Sequence, residues 1–584
     1  MSTLALALLL FAMQQLCLVP PIRSSGFPYN DANYNDGLRD SDMLPICRAG
    51  AISHPETTAQ VVKIVLNARL MGTSVKAFGR GHSKTEIMCP RNGGMAIVTD
   101  RLNAIHVDAG SNIVRVGGGA TLEALTEKLI EHNLMITGLP DHGGISVAGA
   151  IATSAHGSSL MLSSTFADYL EGVVLVDGNA IVHRIGSSHP DFAAMSCNLG
   201  AFGIITEVTL RAQPLRKMFA HNYELNMSSF PNDIIQLARR HSFASVYYFS
   251  HSNVAIMRAG EFMDANVGGD GLRTTWRKST NPISSVISTT AVNYALTGFI
   301  NFLNRAHSPD IICYITSSRI KILKNPESTN EIGHVSRMLM GPFCNDNDCV
   351  VAPVENMDYA ISLENLSNAL QDITRIIKAT KVCFPIYGIY IRFGTKSRKT
   401  LIGPTRDGDV AFLEIHIMQN LEGQPQLGSA AVDEIRQLLK FKYAGQPHFG
   451  KNFESDFKGL GTVLGDRGQL FMGLMQKYDP HALFKNKFLD TIINNYEGGV
   501  GTSGRSCAVT RTCYCLIDSD CHEGWACTNG SVYSKAKVCK KRNNYSCYRH
   551  DECVSRHCFV WTQTCAPAES YGALSFLWKK SNPH

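Results

Sequence analysis

The stretch FGRGHSKTEIMC, residues Phe78–Cys89, follows directly on a short apolar run that begins at Val75. Two glycines around one basic residue let the backbone turn tightly and approach a ligand closely, and successive amide N–H groups can form an anion-binding concavity. We therefore predict that Gly79–Ser83 is a phosphate-binding loop. His82 lies at its edge, where a neutral imidazole nitrogen can act as a nucleophile. The alternative is a surface turn with an incidental histidine, because short glycine-rich motifs also arise by chance.

A second glycine-rich block, Gly138–Ser158, consists almost entirely of small or apolar residues. Such a segment permits close backbone approach, either to a flat ligand or to another element of the fold. The alternative is the start of a tightly packed, buried helix. Upstream, Gly117–Gly119 ends a predicted strand, and Thr121 is a predicted N-cap for a helix whose leucines share one face.

Hydrophobic periodicity predicts the other elements of the first domain. Val61, Val62, Val65 and Leu66 recur at helical spacing and indicate an amphipathic helix that ends near Gly72. Two antiparallel hairpins are predicted, one at Ala104–Val107 with Ile113–Val116 and one at Tyr169–Val176 with Ala180–His183.

Length and composition indicate a large folded protein. The chain has 584 residues, of which 44% are hydrophobic and 18% charged, with a formal net charge of +6. This length suits two to four domains, and the composition excludes a largely disordered chain. Dense Lys/Arg blocks and nucleic-acid-binding motifs are absent from the sequence, so we expect no nucleic-acid partner.

The first residues have the pattern of a secretory signal peptide, assigned to residues 1–25. Leu4–Leu10 is apolar, and the small residues Ser24–Gly26 follow the end of the run. The usual basic residue before the apolar run is lacking, and a signal anchor is the alternative, although Gln14 and Gln15 interrupt the run. Later segments lack about 20 consecutive apolar residues, so we expect no stable membrane insertion after cleavage.

Cysteine usage agrees with secretion. Ten of the 18 cysteines lie between Cys507 and Cys565, which predicts a disulfide-rich module in an oxidising compartment, extracellular, vacuolar or in the cell wall. Four N-x-S/T sequons are candidate glycan sites, at Asn226, Asn365, Asn529 and Asn544. The module either binds a glycan or protein partner or serves stability alone.

These signals divide the chain into successive segments. The signal peptide is followed by a first domain at 45–215 and a mixed α+β second domain at 216–496, whose last part returns to the first. A glycine-rich linker at 497–506 leads to the cysteine-rich module at 507–566, and residues 567–584 form a tail. The module divides into two cysteine units, 507–539 and 547–565.

The order of these motifs resembles the vanillyl-alcohol-oxidase flavoprotein superfamily, and more closely its sugar-lactone oxidase branch, L-gulono-1,4-lactone oxidase and its relatives. The similar blocks occur in the family's order over residues 47 to 495: Gly79–Cys89, Gly117–Gly119, Ile145–Gly157, Gly200–Leu210, Tyr359–Ile361, Tyr390–Phe393 and Pro447–Asn452. The resemblance implies an α+β fold, with a two-part PCMH-type FAD-binding domain, a substrate (cap) domain and a small disulfide-rich C-terminal module. The cysteine-rich tail is similar to the extension of the plant-type, signal-bearing enzymes.

The resemblance implies FAD as the cofactor and no metal. His82 would carry FAD covalently through the 8α-methyl group. The residues that would hold the pyrophosphate by backbone N–H groups are Gly79, Arg80, Gly81 and Ser83. Those that would lie along the cofactor are Ser146, Gly149, His156 and Gly157, with Ile205 on the adenine side. Without the family match, the ordinary interpretation of His156 is a buried core histidine whose ring nitrogens are hydrogen-bonded, not a ligand.

The resemblance also implies the chemistry, in which a secondary alcohol of a sugar lactone loses a proton and a hydride. Positive groups are needed for the developing alkoxide and the reduced flavin. Arg392 and Lys451 match the family's substrate-side arginine and active-site lysine, and His448 is a candidate base. Solvated surface residues are the alternative for both cations. Several relatives carry Glu two residues before that arginine, where this chain has Tyr390, which puts the substrate-side hydrogen bonding in question.

Three further expectations concern the type of reaction. Pro140 corresponds to a position near the flavin where Gly or Pro accompanies oxidase behaviour, so O2 is the expected acceptor and H2O2 a product. Another covalent flavoprotein, such as an alditol oxidase or a cytokinin dehydrogenase, is the alternative enzyme; a second, cysteinyl flavin link is set aside because no Cys lies between Cys89 and Cys197. The alternative of a different class is a binding protein that acts through its cysteine-rich tail.

Overall fold

The fold is described from a computed structural model. It describes residues 47, 49–91, 93–270, 309–326, 330–340, 354–380, 383–385, 387–418, 429–493, 506–544, 553–555, 558–559 and 564–565. The predicted signal peptide, nearly all of the linker and the tail after residue 566 lie outside these residues.

The first part of the N-terminal half is a small parallel sheet beside a helix. Strands β1 (Ala51–Ser53), β2 (Val75–Phe78) and β3 (Met95–Val98) pair in the order β1-β3-β2. Helix α1 (Thr58–Leu70) begins at Thr57, whose side chain accepts a hydrogen bond from the Gln60 N–H. The helix ends just before Gly72, as predicted, but Leu66 is 41% exposed. Sequence spacing alone overestimated the width of its apolar face.

The second part is a five-stranded antiparallel sheet in the order β4-β5-β9-β7-β8. Its strands are β4 (Ile105–Asp108), β5 (Ile113–Gly117), β7 (Leu170–Val176), β8 (Val182–Gly186) and β9 (Ile204–Arg211). Both predicted hairpins are therefore confirmed. Two short strands, β6 (Leu134–Met135) and β10 (Gln213–Pro214), pair with each other.

Three short helices complete this part: α2 (Leu122–Glu131), α3 (Val147–Ala152) and α4 (Phe192–Met195), with 3-10 turns at Glu86–Met88 and Phe166–Tyr169. Thr121 caps α2 by accepting a hydrogen bond from the Ala124 N–H at 3.1 Å. The leucines of α2 face the core as predicted. The N-terminal half is thus a two-part α+β unit.

The second domain is built on one eight-stranded antiparallel sheet in the order β14-β11-β13-β12-β16-β17-β15-β18. The strands are β11 (Lys217–Glu224), β12 (Phe243–Phe249), β13 (Val254–Met263), β14 (Glu331–His334), β15 (Val354–Ser362), β16 (Ile389–Gly394), β17 (Val410–Met418) and β18 (Gln446–Pro447). The helices are α5 (Ile234–Ala238), α6 (Pro309–Lys324), α7 (Val335–Leu339), α8 (Leu366–Thr380) and α9 (Ser429–Gln437), with a 3-10 turn at Leu363–Asn365 and a π turn at Leu438–Lys442. Helices α8 and α9 cover one face of the sheet with apolar side chains.

The segment after β18 packs back onto the first domain. Its helices are α10 (Glu454–Phe457), α11 (Leu460–Leu464), α12 (Asp466–Tyr478) and α13 (Lys487–Ile493), and they share a hydrophobic core with the first domain. Asn486 donates hydrogen bonds to the carbonyls of Glu86, Ile87 and Cys89, at 2.8 to 3.1 Å. The end of the Phe78–Cys89 stretch is therefore fixed by a residue 400 positions away.

The cysteine-rich module contains two small hairpins, β19 (Trp525–Asn529) with β20 (Lys537–Lys541) and β21 (Cys558–Phe559) with β22 (Thr564–Cys565), and a 3-10 turn at Asp518–Asp520. The disulfides of the described residues are Cys47–Cys89, Cys313–Cys383, Cys507–Cys513, Cys515–Cys527, Cys521–Cys539 and Cys553–Cys565. Within the module, each pair stays inside one of the two predicted units. None of the described helices is long and apolar enough to cross a membrane.

Candidate active site

The two glycine-rich blocks lie against each other. A Cβ at Gly79 would stand 2.2 Å from the Ser146 Oγ, so a larger residue at this position would displace the Ser146 side chain. Ser146 in turn caps α3 by accepting a hydrogen bond from the Gly149 N–H at 3.3 Å. The loop after β2 and the start of α3 therefore form one backbone surface, although they are far apart in sequence.

Helix α3 is buried on one side only. Val147, Ala150 and Ile151 are buried, while Ala148 and Gly149 are half-buried on the open side. The open side carries small residues, and a Cβ at Gly118 would lie 2.6 Å from the Ile205 carbonyl oxygen beside it. This narrow cradle of glycine and alanine fits a flat cofactor such as FAD. The segment is thus also the start of a helix that is buried on one side, in line with the alternative, and only the side of Ala148 and Gly149 is open to a ligand.

His82 contacts His142, which the sequence analysis did not select. The His142 Nε2 lies 3.2 Å from the His82 Nδ1, and the two rings meet edge to face at 4.3 Å. Burial lowers the pKa of His82 well below its usual range, and the neighbouring His142 and Arg80 lower it further. Burial also lowers the pKa of His142. Both rings are therefore neutral at physiological pH.

The other loop residues serve the backbone geometry. Gly81 adopts a left-handed φ of 73°, which favours glycine. The Ser83 hydroxyl lies 3.2 Å from the Thr85 hydroxyl, and Arg80 is half-buried. The sharp turn at Gly81 directs the adjacent His82 toward the second glycine-rich block.

Strand alternation places a charged cluster on the sheet face opposite helices α8 and α9. Ile389, Ile391 and Phe393 face the helices, so Arg392 between them projects from the other face. Asp358 on β15 and Glu414 on β17 share that face. The Arg392 NH2 group lies 3.1 Å from the Asp358 Oδ2 and 2.8 Å from the Glu414 Oε2.

Lys451 completes the cluster from the loop after β18. Its Nζ lies 3.0 Å from the Asp358 Oδ2 and 2.7 Å from the Glu414 Oε1. Two cations thus share two carboxylates, and all but Lys451 are at least nine-tenths buried. The alternative of solvated surface cations is therefore wrong for Arg392.

The Lys451 loop also contacts the His82 loop. The Lys84 N–H donates to the Gly450 carbonyl at 2.8 Å, and the Thr85 hydroxyl donates to the Phe449 carbonyl at 2.8 Å. The His82 loop and the Lys451 loop are therefore held together by direct hydrogen bonds. The charged cluster lies beside the cradle.

Two further histidines stand next to the cluster. His156 is buried, stacks on Phe412 at 3.4 Å between ring centroids, and has its Nε2 3.8 Å from the Asp358 Oδ2. His448 accepts a hydrogen bond from the Gly450 N–H at 3.0 Å through its Nδ1. Gly157 follows in a tight position, because a Cβ there would lie 2.7 Å from the Leu139 carbonyl oxygen.

Burial would raise the pKa of both carboxylates, but the adjacent cations outweigh burial. Lys451 and Arg392 lower the pKa of Glu414 to about 2 and hold the pKa of Asp358 well below its usual range. Burial lowers the pKa of His448 to about 3. The cluster therefore combines two charged pairs with a neutral histidine.

Sequence reasoning missed Asp358, Glu414 and His416. Glu414 and His416 occupy alternate positions of the otherwise apolar strand VAFLEIHIM, a period-2 signal that places both on one sheet face. Glu414 pairs directly across the sheet with Tyr390. A carboxylate therefore lies directly opposite Tyr390, on the neighbouring strand.

Comparison with known proteins agrees with this arrangement. The FAD binding domain family matches residues 49–186, the D-arabinono-1,4-lactone oxidase family matches residues 208–492, and the C-terminal domain family of L-gulonolactone oxidase 2-like proteins matches residues 504–541. Together the first two matches cover the Gly79–Ser83 loop, Gly118, α3 and the charged cluster.

Individual relatives cover most of the chain at low identity. Probable L-gulonolactone oxidase 4 of Arabidopsis thaliana is 26% identical over 85% of this chain and 92% of its own length. L-gulono-1,4-lactone dehydrogenase of Mycobacterium tuberculosis is 24% identical over 77% of this chain and 97% of its own length.

Among solved structures, cholesterol oxidase from B. sterolicum aligns with a TM-score of 0.60 at 19% identity, over 76% of this chain and 94% of its own. That likeness supports the PCMH-type FAD-binding fold alone. The domain matches and the relatives extend the likeness to the kind of enzyme: the chain carries an FAD binding domain and is similar to aldonolactone oxidases and dehydrogenases.

Proposed function

We propose that the protein oxidises L-gulono-1,4-lactone, or a related aldono-lactone, to the 2-keto lactone that becomes L-ascorbate. O2 is the proposed acceptor and H2O2 the second product. The observation that carries the proposal is the pair Arg392 and Lys451, joined through two shared carboxylates directly beside the flavin cradle. The relatives named as lactone oxidases and as a lactone dehydrogenase support the substrate class.

FAD fits the cradle, and when bound it would accept the hydride of the alcohol carbon and pass both electrons to O2. His82 would hold it by a bond from an imidazole nitrogen to the 8α carbon. His142, 3.2 Å away, would accept the proton that the His82 ring loses. Gly79, Arg80, Gly81 and Ser83 would bind the pyrophosphate.

Arg392 and Lys451 would stabilise the developing alkoxide of the lactone hydroxyl. Preorganised cations in a site closed to water act strongly on charge that develops in the transition state. Asp358 and Glu414 hold both cations in place without a net charge on the cluster. This balance lets the site bind a neutral lactone.

We propose His416, rather than His448, as the proton acceptor for that hydroxyl. The His416 Nε2 lies 3.5 Å from the Glu414 Oε1, so an imidazolium formed there would be stabilised by a carboxylate. Burial lowers the pKa of His416 to about 4, which keeps it neutral before the reaction. The His448 Nδ1 is already occupied by the Gly450 N–H.

The test is a panel of aldono-lactones and alditols, with peroxide and ascorbate measured together in air. L-gulono-1,4-lactone or a close relative should give both products in equal amounts. Turnover of alditols alone would favour the alternative carbohydrate oxidase. Flavin that stays reduced in air after substrate would contradict the O2 acceptor, and with it the role assigned to Pro140.

Protein colour distinguishes the enzyme from the binding protein. Yellow protein whose flavin survives acid precipitation supports the covalent flavoenzyme, whereas a colourless folded protein favours the binding protein. We further propose that the protein is secreted and glycosylated. Asn226, Asn529 and Asn544 are exposed, as glycan acceptors must be. Glycosidase digestion of the secreted protein should lower its apparent mass.

A further inference from the structure

The cysteine-rich module is fastened to the second domain through buried polar groups. The buried carboxylate of Glu434, on α9, accepts hydrogen bonds from the three backbone N–H groups of Ser531–Tyr533 at 2.6 to 2.7 Å. Gln437 exchanges two hydrogen bonds with the backbone of Lys537, at 2.9 and 2.7 Å. Satisfied buried polar groups of this kind define one docked position.

A second contact joins the module to the eight-stranded sheet, on the face opposite the charged cluster. The Tyr514 hydroxyl donates to the Asp456 Oδ1 at 2.8 Å. Asp456 is fully buried and also pairs with Arg436, whose NH2 lies 2.7 Å from the same oxygen. Tyr359, next to Asp358 in sequence, faces this side of the sheet.

Asp456 connects Tyr514 to Asn452, the residue that follows Lys451. The Asp456 Oδ2 accepts hydrogen bonds from the Phe453 N–H at 3.0 Å and from the Asn452 Nδ2 at 3.4 Å. Asn452 has a left-handed φ of 65°, a conformation that needs support outside glycine. Its Oδ1 accepts from the Asp358 N–H at 3.1 Å.

Asn452 therefore links both members of an active-site pair. It is bonded to the backbone of Asp358 and is covalently next to Lys451, whose Nζ lies 3.0 Å from the Asp358 Oδ2. From the Tyr514 hydroxyl to this pair the path consists of Asp456 and Asn452 alone. Each hydrogen bond along it involves a buried group.

We propose that Tyr514 is a positioning residue that acts through Asp456 and Asn452 on Lys451, so that the cysteine-rich module completes the substrate side of the active site. The inference rests on the proposed function for its catalytic consequence. It gives the module a role other than recognition of a partner or stability alone. Tyr514 touches no reacting atom itself.

The experiment compares Tyr514→Phe with Tyr533→Phe in the full-length flavoprotein. Tyr533 lies in the same interface and packs against the core of the second domain, and within the described part of the chain its hydroxyl has no hydrogen bond. Both variants lose one hydroxyl. Anaerobic single-turnover mixing with L-gulono-1,4-lactone gives a rate constant and an amplitude of flavin reduction. The rate constant depends on the geometry of the active site, and the amplitude measures the fraction of the protein that can react.

Tyr514→Phe should lower the rate constant of flavin reduction at saturating lactone roughly tenfold, with an unchanged amplitude, because small displacements of positioned groups are costly. Tyr533→Phe should match the wild type. A wild-type rate constant in Tyr514→Phe, with only the amplitude or the melting temperature reduced, would overturn the inference.

Hydrogen exchange separates this inference from the proposed function. If no lactone reduces the wild type, the proposed function fails, but amide exchange over residues 447–458 still reports on the path. Tyr514→Phe should increase exchange there, and Tyr533→Phe should not. Equal exchange in the two variants and the wild type would refute the positioning role.

Discussion

Replacing Glu414 by Gln removes the charge that Arg392 and Lys451 share while it preserves the shape of the side chain. In the folded protein the two cations lower the pKa of Glu414 from 4.5 to about 2, although burial alone would raise it. This difference between the folded and unfolded states corresponds to about 3 kcal/mol of stability near pH 7. Glu414→Gln should therefore lower the free energy of unfolding by about this amount.

The effect should depend on pH with a definite sign. Because the folded pKa is the lower one, the contribution of Glu414 is complete above the unfolded pKa of 4.5 and is lost as the pH falls toward 2. The difference between wild type and variant should shrink from about 3 kcal/mol near pH 7 to about 2 kcal/mol near pH 3.5. Gln does not titrate, so the variant supplies the baseline.

Urea unfolding followed by circular dichroism at both pH values measures this difference. Glu364→Gln is the matched control, since Glu364 belongs to the same domain but is exposed. The control should change the free energy of unfolding by less than about 0.5 kcal/mol at either pH. A Glu414→Gln variant as stable as the wild type, or a loss that is equal at both pH values, would refute the account of the cluster.

Three other substitutions test the remaining roles. His82→Ala should abolish acid-stable flavin while exposed His106→Ala retains it; acid-precipitable flavin in His82→Ala would contradict the covalent link. Lys451→Met should reduce kcat by about 10²–10³-fold with flavin still bound, and exposed Lys396→Met should not; similar kcat values in the two would exclude an electrostatic role for Lys451. His416→Gln should lower kcat by about 10²-fold or more and remove the acidic limb of the pH–rate profile; an unchanged pH–rate profile would mean that another group accepts the proton of the lactone hydroxyl.

The two glycine-rich segments of the cradle were predictable because each is visible in the local sequence, whereas their contact with each other was not. Gly79 and Gly149 both lie against the Ser146 side chain, where a Cβ would come closer than 3 Å to its Oγ, and such positions are visible as glycines in the sequence. The Thr121 cap and both hairpins of the first domain follow from short-range patterns as well. These features depend on spacing within about ten residues.

The charged cluster was only partly predictable because it depends on strand register. Arg392 and Lys451 were found by their motifs, but Glu414 belongs to the site through its place opposite Tyr390 on the next strand. A substitution that removes a carboxylate at one position can be offset across the sheet, which a linear motif does not reveal. His142 was missed for a similar reason, since its contact with His82 spans 60 residues.

The docking of the cysteine-rich module was not predictable from its cysteines. Its density of disulfides indicated a separate unit in an oxidising compartment, whereas Glu434 and Asp456 belong to the second domain and carry no motif. Only the structure shows that these two buried carboxylates accept hydrogen bonds from the module. The sequence therefore indicated a module and gave no sign of where it binds.

We propose that the cradle and the charged cluster together promote hydride transfer from a sugar lactone to flavin. The most direct measurement is to mix the yellow protein with L-gulono-1,4-lactone without oxygen and to follow the flavin absorbance. We expect rapid bleaching in the wild type, recovery of the colour with release of peroxide when air is admitted, and bleaching that is about 10²-fold slower in Arg392→Met. A flavin that no aldono-lactone bleaches, or an Arg392→Met variant that is bleached as fast as the wild type, would contradict it.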